Sequence, residues 1–170
     1  MKIKSISIVL LLLCFAIPCF AGSLNISGRA GIYTINQSGA STSMMYGVAA
    51  NYGITDNLSL RGAIDTTTYS VNGVQSTYTP ISLDLIYSQS IIGVLTPYVG
   101  AGATYNMMTT NGVSTQTNGA ELIAGAKFAL LGFSAGTEYR YMMPDLNHTN
   151  VGSSVVTAYM TGAFTQGFNF

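Results

Sequence analysis

The stretch FSAGTEYRYMM, from Phe133 to Met143, decides the fold because it alternates aromatic or small residues with charged ones. In a β-strand, successive side chains point to opposite faces of the sheet. One face of this segment carries Phe133, Ala135, Thr137, Tyr139 and Tyr141, and the other carries Ser134, Gly136, Glu138 and Arg140. The stretch therefore predicts a strand with one apolar face and one charged face, and each face needs a suitable environment.

The composition favours a membrane environment. Only 7% of the 170 residues are charged and 48% are hydrophobic, whereas an ordinary soluble domain has roughly 25% charged residues. The only long apolar run is at the N-terminus, where it follows Lys2 and Lys4 and ends in the small residue Ala21. This pattern is typical of a secretory signal peptide. We predict a signal peptide at residues 1–21 and a single barrel domain at residues 22–170.

The charges and cysteines that remain after residue 21 exclude several classes of protein. Both cysteines, Cys14 and Cys19, belong to the predicted signal peptide, so no disulfide or cysteine metal site is expected. Four basic and six acidic residues follow residue 21, which leaves a net charge of −2 and no basic surface for nucleic acid. No phosphate-binding loop, zinc spacing or calcium loop is present, and we expect no cofactor and no metal ion.

The chain after residue 21 divides into eight segments with the length and alternation of strands. They are residues 24–35, 43–54, 58–69, 76–87, 97–108, 120–130, 133–142 and 155–170. Most approach the roughly 9–11 residues that cross a bilayer as a tilted strand. Short turns alternate with longer polar loops near 36–42, 70–75, 109–118 and 143–154, as in outer-membrane barrels. The segment 88–96 should be a periplasmic turn in this alternation, but it is long and apolar, and the one account we have of its length is an extension of the fourth strand.

All eight charges within the predicted strands fall on the less apolar face. They are Arg29, Arg61, Asp65, Asp84, Glu121, Lys127, Glu138 and Arg140. In a bilayer every backbone polar group must be paired within the protein, so membrane strands close into a barrel. The pattern therefore predicts an eight-stranded antiparallel transmembrane up-and-down β-barrel, with its apolar face toward lipid and four positive and four negative charges inside.

The predicted interior allows two functions. An eight-stranded barrel is barely wide enough for its own side chains, so paired charges are expected to close the lumen and hold its shape. The alternative is a narrow channel, because several inward positions are small and could leave water-filled gaps. These positions are Gly31, Gly47, Gly100, Gly102, Gly125 and Gly136.

The outer surface needs aromatic residues where lipid meets water. Tryptophan is absent, so tyrosine must supply these girdles. Six tyrosines have outward parity: Tyr46, Tyr52, Tyr87, Tyr105, Tyr139 and Tyr141.

Three phrases and the C-terminus resemble a known family. YGITDNLSLRGAID at 52–65, TPYVGAGATY at 96–105, AGTEYRYM at 135–142 and a last strand ending in Phe168 and Phe170 are similar to the OmpA-like small outer-membrane barrels, which include the opacity-type surface proteins. The resemblance covers nearly all of the chain after residue 21. It implies periplasmic termini, extracellular loops and a terminal aromatic signal, Phe168 and Phe170, for the barrel-assembly machinery. The sequence stops at Phe170, so the resemblance implies no peptidoglycan-binding domain.

The resemblance implies a monomeric protein of the bacterial outer membrane that contacts lipid and lipopolysaccharide. Its expected role is structural, or contact with a host or matrix surface through the loops. A narrow channel for small solutes or hydrophobic molecules is the first alternative. The second is an enzyme that modifies lipid A, for which His148, with Asp145, Ser153 and Ser154 nearby, would be the candidate site.

Overall fold

The computed structural model describes residues 23–91, 93–130, 133–146 and 153–162. The predicted signal peptide, and Phe168 and Phe170 of the predicted assembly signal, lie outside these ranges. Among the described residues, no helix is long and apolar enough to cross a membrane.

Eight strands account for most of the described chain. They are β1 (Leu24–Ile35), β2 (Ser43–Gly53), β3 (Leu58–Val71), β4 (Val74–Ser88), β5 (Leu95–Thr110), β6 (Val113–Leu130), β7 (Phe133–Met143) and β8 (Ser153–Gly162). Each strand pairs antiparallel with the next, and β8 pairs antiparallel with β1 to close the barrel. The predicted eight-stranded up-and-down β-barrel is confirmed.

The strands place polar side chains inside the barrel and apolar side chains outside. In β4, Leu83 and Leu85 are about half exposed, while Asp84 between them is fully buried. In β1, Ile32 is exposed, while Arg29 and Tyr33 are buried in the lumen. This arrangement is the reverse of a soluble protein, and it suits an apolar solvent around the barrel.

Two of the predicted loops are much shorter than expected. Residues 70–75 and 109–118 were expected to form polar loops, but β3 and β4 are joined by Asn72–Gly73, and β5 and β6 by Asn111–Gly112. All four turn residues have positive φ, between 50° and 83°. Asn-Gly is the preferred sequence for such two-residue hairpin turns, because both positions need a left-handed backbone. The two hairpins therefore continue as paired strands through the predicted loops.

The segment 88–96 closes the β4–β5 hairpin rather than extending β4. The Gln89 N–H donates to the Pro97 carbonyl (3.1 Å) and the Ile91 N–H to the Leu95 carbonyl (3.1 Å). The Ala129 N–H also donates to the Val94 carbonyl (2.9 Å), which ties this turn to β6. Strand β4 ends at Ser88, so the interpretation of this segment as an extension of the fourth strand was wrong.

The closing β1–β8 pair can be tested by a cross-link. Ala30 lies directly opposite Ala158 in the register, and opposed Cα atoms in antiparallel strands are close enough for a disulfide. With Cys14 and Cys19 replaced by serine, we expect Ala30→Cys/Ala158→Cys to oxidise to an intramolecular disulfide. The boiled, unreduced chain should then migrate faster on a denaturing gel than the reduced chain.

The matched control is Ala30→Cys/Met160→Cys, which shifts the second cysteine by two residues along β8. Diagonal positions are roughly 7–8 Å apart, which is beyond ready disulfide formation. Equal cross-linking of both pairs, or none of either, would contradict the closing register.

Candidate functional site

Seven charged side chains are buried together in the barrel lumen, and we call them the lumen network. They are Arg29 (β1), Arg61 and Asp65 (β3), Asp84 (β4), Glu121 (β6), and Glu138 and Arg140 (β7). Each is at most 5% exposed. Five strands contribute to the network, because alternation turns every one of these positions inward. The network contains three positive and four negative side chains.

Arg61 connects neighbouring and opposite walls of the lumen. Its Nε donates to Asp84 Oδ2 (2.9 Å) and its Nη1 to Glu138 Oε2 (2.6 Å). Asp84 is directly opposite Arg61 in the β3–β4 register, whereas Glu138 lies across the lumen on β7. The Tyr98 hydroxyl donates to the same Glu138 oxygen (2.9 Å). Such charge-assisted hydrogen bonds are stronger than neutral ones, so Arg61 holds β3, β4 and β7 together.

Asp65 and Glu138 are each shared between arginines. Asp65 Oδ2 accepts hydrogen bonds from Arg29 Nη2 (2.7 Å) and Arg140 Nη1 (2.8 Å). Glu138 Oε1 lies 3.4 Å from Arg140 Nε and 3.7 Å from Arg29 Nη1. Together with the Arg61 contact, Glu138 is within ion-pair distance of all three arginines.

Glu121 is the most weakly paired acid of the network. Its one ion contact in the described part of the chain is Oε2 to Arg140 Nη1, at 3.6 Å. Neither of its carboxylate oxygens has a hydrogen-bond partner there. Glu121 on the adjacent strand β6 and Glu138 on the same strand β7 are the acids closest to Arg140 along the sheet. The structure makes Asp65, across the lumen, its shortest contact.

Glycines provide the space in which these side chains meet. Gly47 lies between Arg29 and Asp65 in the strand register, and a Cβ there would collide with the Asp65 carboxylate. Gly125 lies between Tyr98 and Glu138 in the same way, and a Cβ there would collide with the Tyr98 phenol. A side chain from one strand can therefore cross the glycine of the next strand to reach its partner.

The structure corrects the idea that these inward glycines leave gaps. At Gly100 the space is occupied by Ile86, and at Gly102 by the Asp84 carboxylate. With Gly47 and Gly125, four of the six predicted positions are filled by neighbouring side chains. Protein atoms therefore occupy the space beside these four glycines. The presence of the glycines no longer favours a water-filled channel.

Two cavities lie at opposite ends of the lumen. The turn-end cavity, about 180 Å³, is polar and includes Arg29, Arg61 and Lys127 in its wall. The wall surface of the loop-end cavity, about 410 Å³, is mostly apolar and includes Tyr33 and Tyr69, although about half of its lining residues are polar. The two cavities share no lining residue among those the structure describes. Lys127, predicted as part of the charge network, is half-buried and joins none of the ion pairs found within the described ranges.

The remaining predicted residues occupy different places. The six tyrosines predicted for the girdles, Tyr46, Tyr52, Tyr87, Tyr105, Tyr139 and Tyr141, are exposed or half-exposed. His148 of the possible catalytic set lies outside the described residues, while Asp145 and Ser153 line the loop-end cavity. The described ranges contain no group of three or more His, Cys, Asp or Glu side chains arranged for a metal ion.

Sequence reasoning missed the tyrosines inside the lumen. Tyr33, Tyr69 and Tyr78 are buried at its loop end, and Tyr98 contacts the lumen network. The signal was present, because Tyr33 follows Arg29 by four residues and Tyr69 follows Asp65 by four. An even spacing along a strand puts two residues on the same face, so parity with an inward charge identifies both.

Comparisons with known sequences and structures identify proteins that are similar to this barrel. The sequence profile of the outer membrane protein beta-barrel domain matches residues 7–168. The fold is similar to that of neisserial surface protein A, with a TM-score of 0.69 and 22% identity over 83% of this chain and 97% of that one. It is also similar to the N-terminal β-barrel domain of OprF from Pseudomonas aeruginosa (TM-score 0.59, 24% identity, 82% and 97% covered). No curated protein sequence matches the chain.

A third similar structure is Ail, the attachment invasion locus protein of Yersinia pestis. The TM-score is 0.52 and the identity 15%, over 84% of this chain and 99% of that one. At these identities, the three structures establish the shared fold.

Glu121 and Glu138 are unequally paired within the lumen network, and this difference predicts which acid substitution restores stability after Arg140 is replaced. Arg140→Met removes the one ion pair that Glu121 makes within the described ranges and leaves that carboxylate buried without a described cation. Breaking a buried ion pair costs about 3–5 kcal/mol, so we expect a clear fall in the temperature at which the unfolded form appears on a gel. Adding Glu121→Gln should restore much of the loss, because it removes the stranded charge.

The charge-matched control is Arg140→Met/Glu138→Gln. It has the same net charge, but it also removes the acid that contacts Arg61 and Arg29. We expect this pair to be less stable than Arg140→Met alone. Equal rescue by the two acid substitutions would mean that net charge, and not the described pairing, governs stability.

Proposed function

We propose that this chain, which belongs to the outer membrane protein β-barrel domain family, is a non-conducting barrel with a structural or surface-contact role. It is located in the bacterial outer membrane. The alternating strands supply an apolar outer face for lipid and a polar interior. We place the β2–β3 and β4–β5 connections at the periplasmic end, and the Asn72–Gly73 and Asn111–Gly112 turns at the extracellular end.

The lumen network is the observation that supports a closed barrel. Its ion pairs run from β3 to β7 through Arg61 and Glu138 (2.6 Å), and from β7 back to β3 through Arg140 and Asp65 (2.8 Å). These contacts cross the lumen between the two cavities. Ion conduction needs a continuous polar path in which ions bind weakly enough to leave. Buried charges that are already paired with one another, with no described lining residue common to both cavities, do not offer that path.

The extracellular part of the barrel supports a surface-contact role. The β3–β4 and β5–β6 hairpins have exposed hydroxyl pairs on their outer face, such as Thr68 with Thr77 (3.4 Å) and Thr109 with Ser114 (3.0 Å). Hydroxyls donate and accept hydrogen bonds without charge, which suits contact with neutral sugars. We propose lipopolysaccharide and lipid as constant neighbours, a host or matrix surface as a further partner, and a monomer that the barrel-assembly machinery inserts.

Catalysis is not part of the proposal. The alternative of a lipid-modifying enzyme depends on His148, which lies outside the described residues, so no described geometry supports that reaction. The channel alternative is tested directly by conductance.

Single-channel recording in planar bilayers tests the proposed closure. We expect the unmodified barrel to show no steady openings, because the lumen network fills its cross-section. The neutral double variant Arg61→Ser/Glu138→Ser removes the pair that crosses the lumen and shortens both side chains. We expect this variant to open a measurable conductance while its folded band persists on an unheated gel.

The matched control is Lys127→Ser/Asp56→Ser, which also removes one positive and one negative charge. Both residues line the turn-end cavity, and neither joins an ion pair within the described ranges. We expect this control to stay silent. Steady openings of the unmodified barrel would overturn the proposal and favour the channel.

A further inference from the structure

The loop-end cavity has the size and lining of a small-molecule site. Its volume is about 410 Å³, and ligand pockets typically enclose about 300–1,000 Å³, with mainly apolar and aromatic walls and few polar groups. Three tyrosines, Tyr33, Tyr69 and Tyr78, and apolar side chains such as Ile35 and Met108 supply its aromatic and apolar surface, and eight polar residues complete the described wall. The polar closure proposed above needs none of these residues, so their concentration here calls for a separate explanation.

The tyrosines are held in place before any ligand arrives. The ring centroids of Tyr33 and Tyr69 are 5.6 Å apart, as are those of Tyr33 and Tyr78. The Tyr78 hydroxyl donates to Asn106 Oδ1 (2.6 Å), and the Tyr69 hydroxyl contacts Met108 Sδ (3.2 Å). Aromatic rings at such distances attract further rings in stacked or edge-on geometry. A rigid wall of this kind lowers the entropy lost on binding.

The charge of the lining selects the class of ligand. Asp145 is the one charged residue among the described lining residues, which include no lysine, arginine or histidine. The Ser76 and Thr110 hydroxyls lie 2.7 Å apart and bond to each other. Among the described lining residues an anionic ligand would therefore meet a carboxylate and no cation, whereas an uncharged ring could cover the tyrosines.

We propose that the loop-end cavity binds a small uncharged aromatic molecule of one or two rings, which enters from the extracellular side. The exposed lining residues Gln37 and Thr115 mark the entrance. Beneath the tyrosines, Met45 and Met142 are almost completely buried and belong to the same apolar cluster. The cavity is therefore closed at its inner end, and the molecule binds and leaves by the same side without crossing the membrane.

Methyl NMR of the barrel in lipid nanodiscs tests this site. With labelled isoleucine, valine and methionine methyls, indole serves as the neutral probe. We expect saturable shifts at Met108, Ile35 and Val71, all of which line the cavity. Met44 and Ile81 are exposed hydrophobic residues of the outer face, so their methyls should change only in proportion to the indole dissolved in lipid.

Two comparisons distinguish binding from partition into lipid. Met108→Trp fills the cavity and should abolish the saturable shifts at Ile35 and Val71, whereas the matched outer-face variant Met44→Trp should retain them. Indole-3-carboxylate, with the same rings and a negative charge, should bind at least tenfold more weakly. Shifts that never saturate, equal binding of the anion, or binding that survives Met108→Trp would each overturn the proposal.

Discussion

Glu138 lies between the three arginines of the sequence, and the closed lumen depends on this contact. Arg61 binds one carboxylate oxygen at 2.6 Å, and Arg140 and Arg29 approach the other at 3.4 Å and 3.7 Å. Each arginine also contacts a second acid, so the ion pairs of all three arginines are joined through Glu138 of β7. A buried charge without a partner is costly, and the strands must therefore keep the register that brings these groups together.

The lipid around the barrel and the narrow lumen inside it together impose this pairing of buried charges. A bilayer leaves no water for an unpaired strand edge, which requires closure of the sheet. Closure with eight strands leaves a lumen only as wide as its side chains. Within that width, Gly47, Gly102 and Gly125 give room for neighbouring side chains, so partners on non-adjacent strands can meet. The same ion pairs lie between a polar cavity at one end and a cavity with tyrosines in its wall at the other.

Much of the fold was predictable, because the strand period and the solvent act on every residue in the same way. Parity alone separated Asp84 from Leu83 and Leu85, and Arg29 from Ile32. The hairpin turns were also readable, since Asn72–Gly73 and Asn111–Gly112 carry the preferred residues for positive φ. Their polar flanks led instead to the expectation of long loops. Outside the lipid, outward positions become polar, and composition no longer distinguishes a strand from a loop.

The pairing inside the site was less predictable. Arg140 and Asp65 lie 75 residues apart in the sequence, and their contact depends on barrel closure and on tilt, which no local pattern records. The filled glycine positions have the same origin, because a missing side chain does not indicate which neighbour occupies its place. The lumenal tyrosines could have been predicted, because Tyr33 and Tyr69 share the parity of Arg29 and Asp65. They were missed because tyrosine is common in β-strands, so its presence there did not indicate a lumenal position.

The most direct test of the lumen network is nitrogen-15 NMR of the arginine side chains in nanodiscs. The sequence contains three arginines, and all three belong to the network. The structure predicts three separate guanidinium Nε–H signals that exchange slowly with water. Glu138→Gln should shift all three, whereas Glu121→Gln should shift mainly that of Arg140. Rapid exchange typical of free arginine, with no response to Glu138→Gln, would contradict a closed lumen organised around this residue.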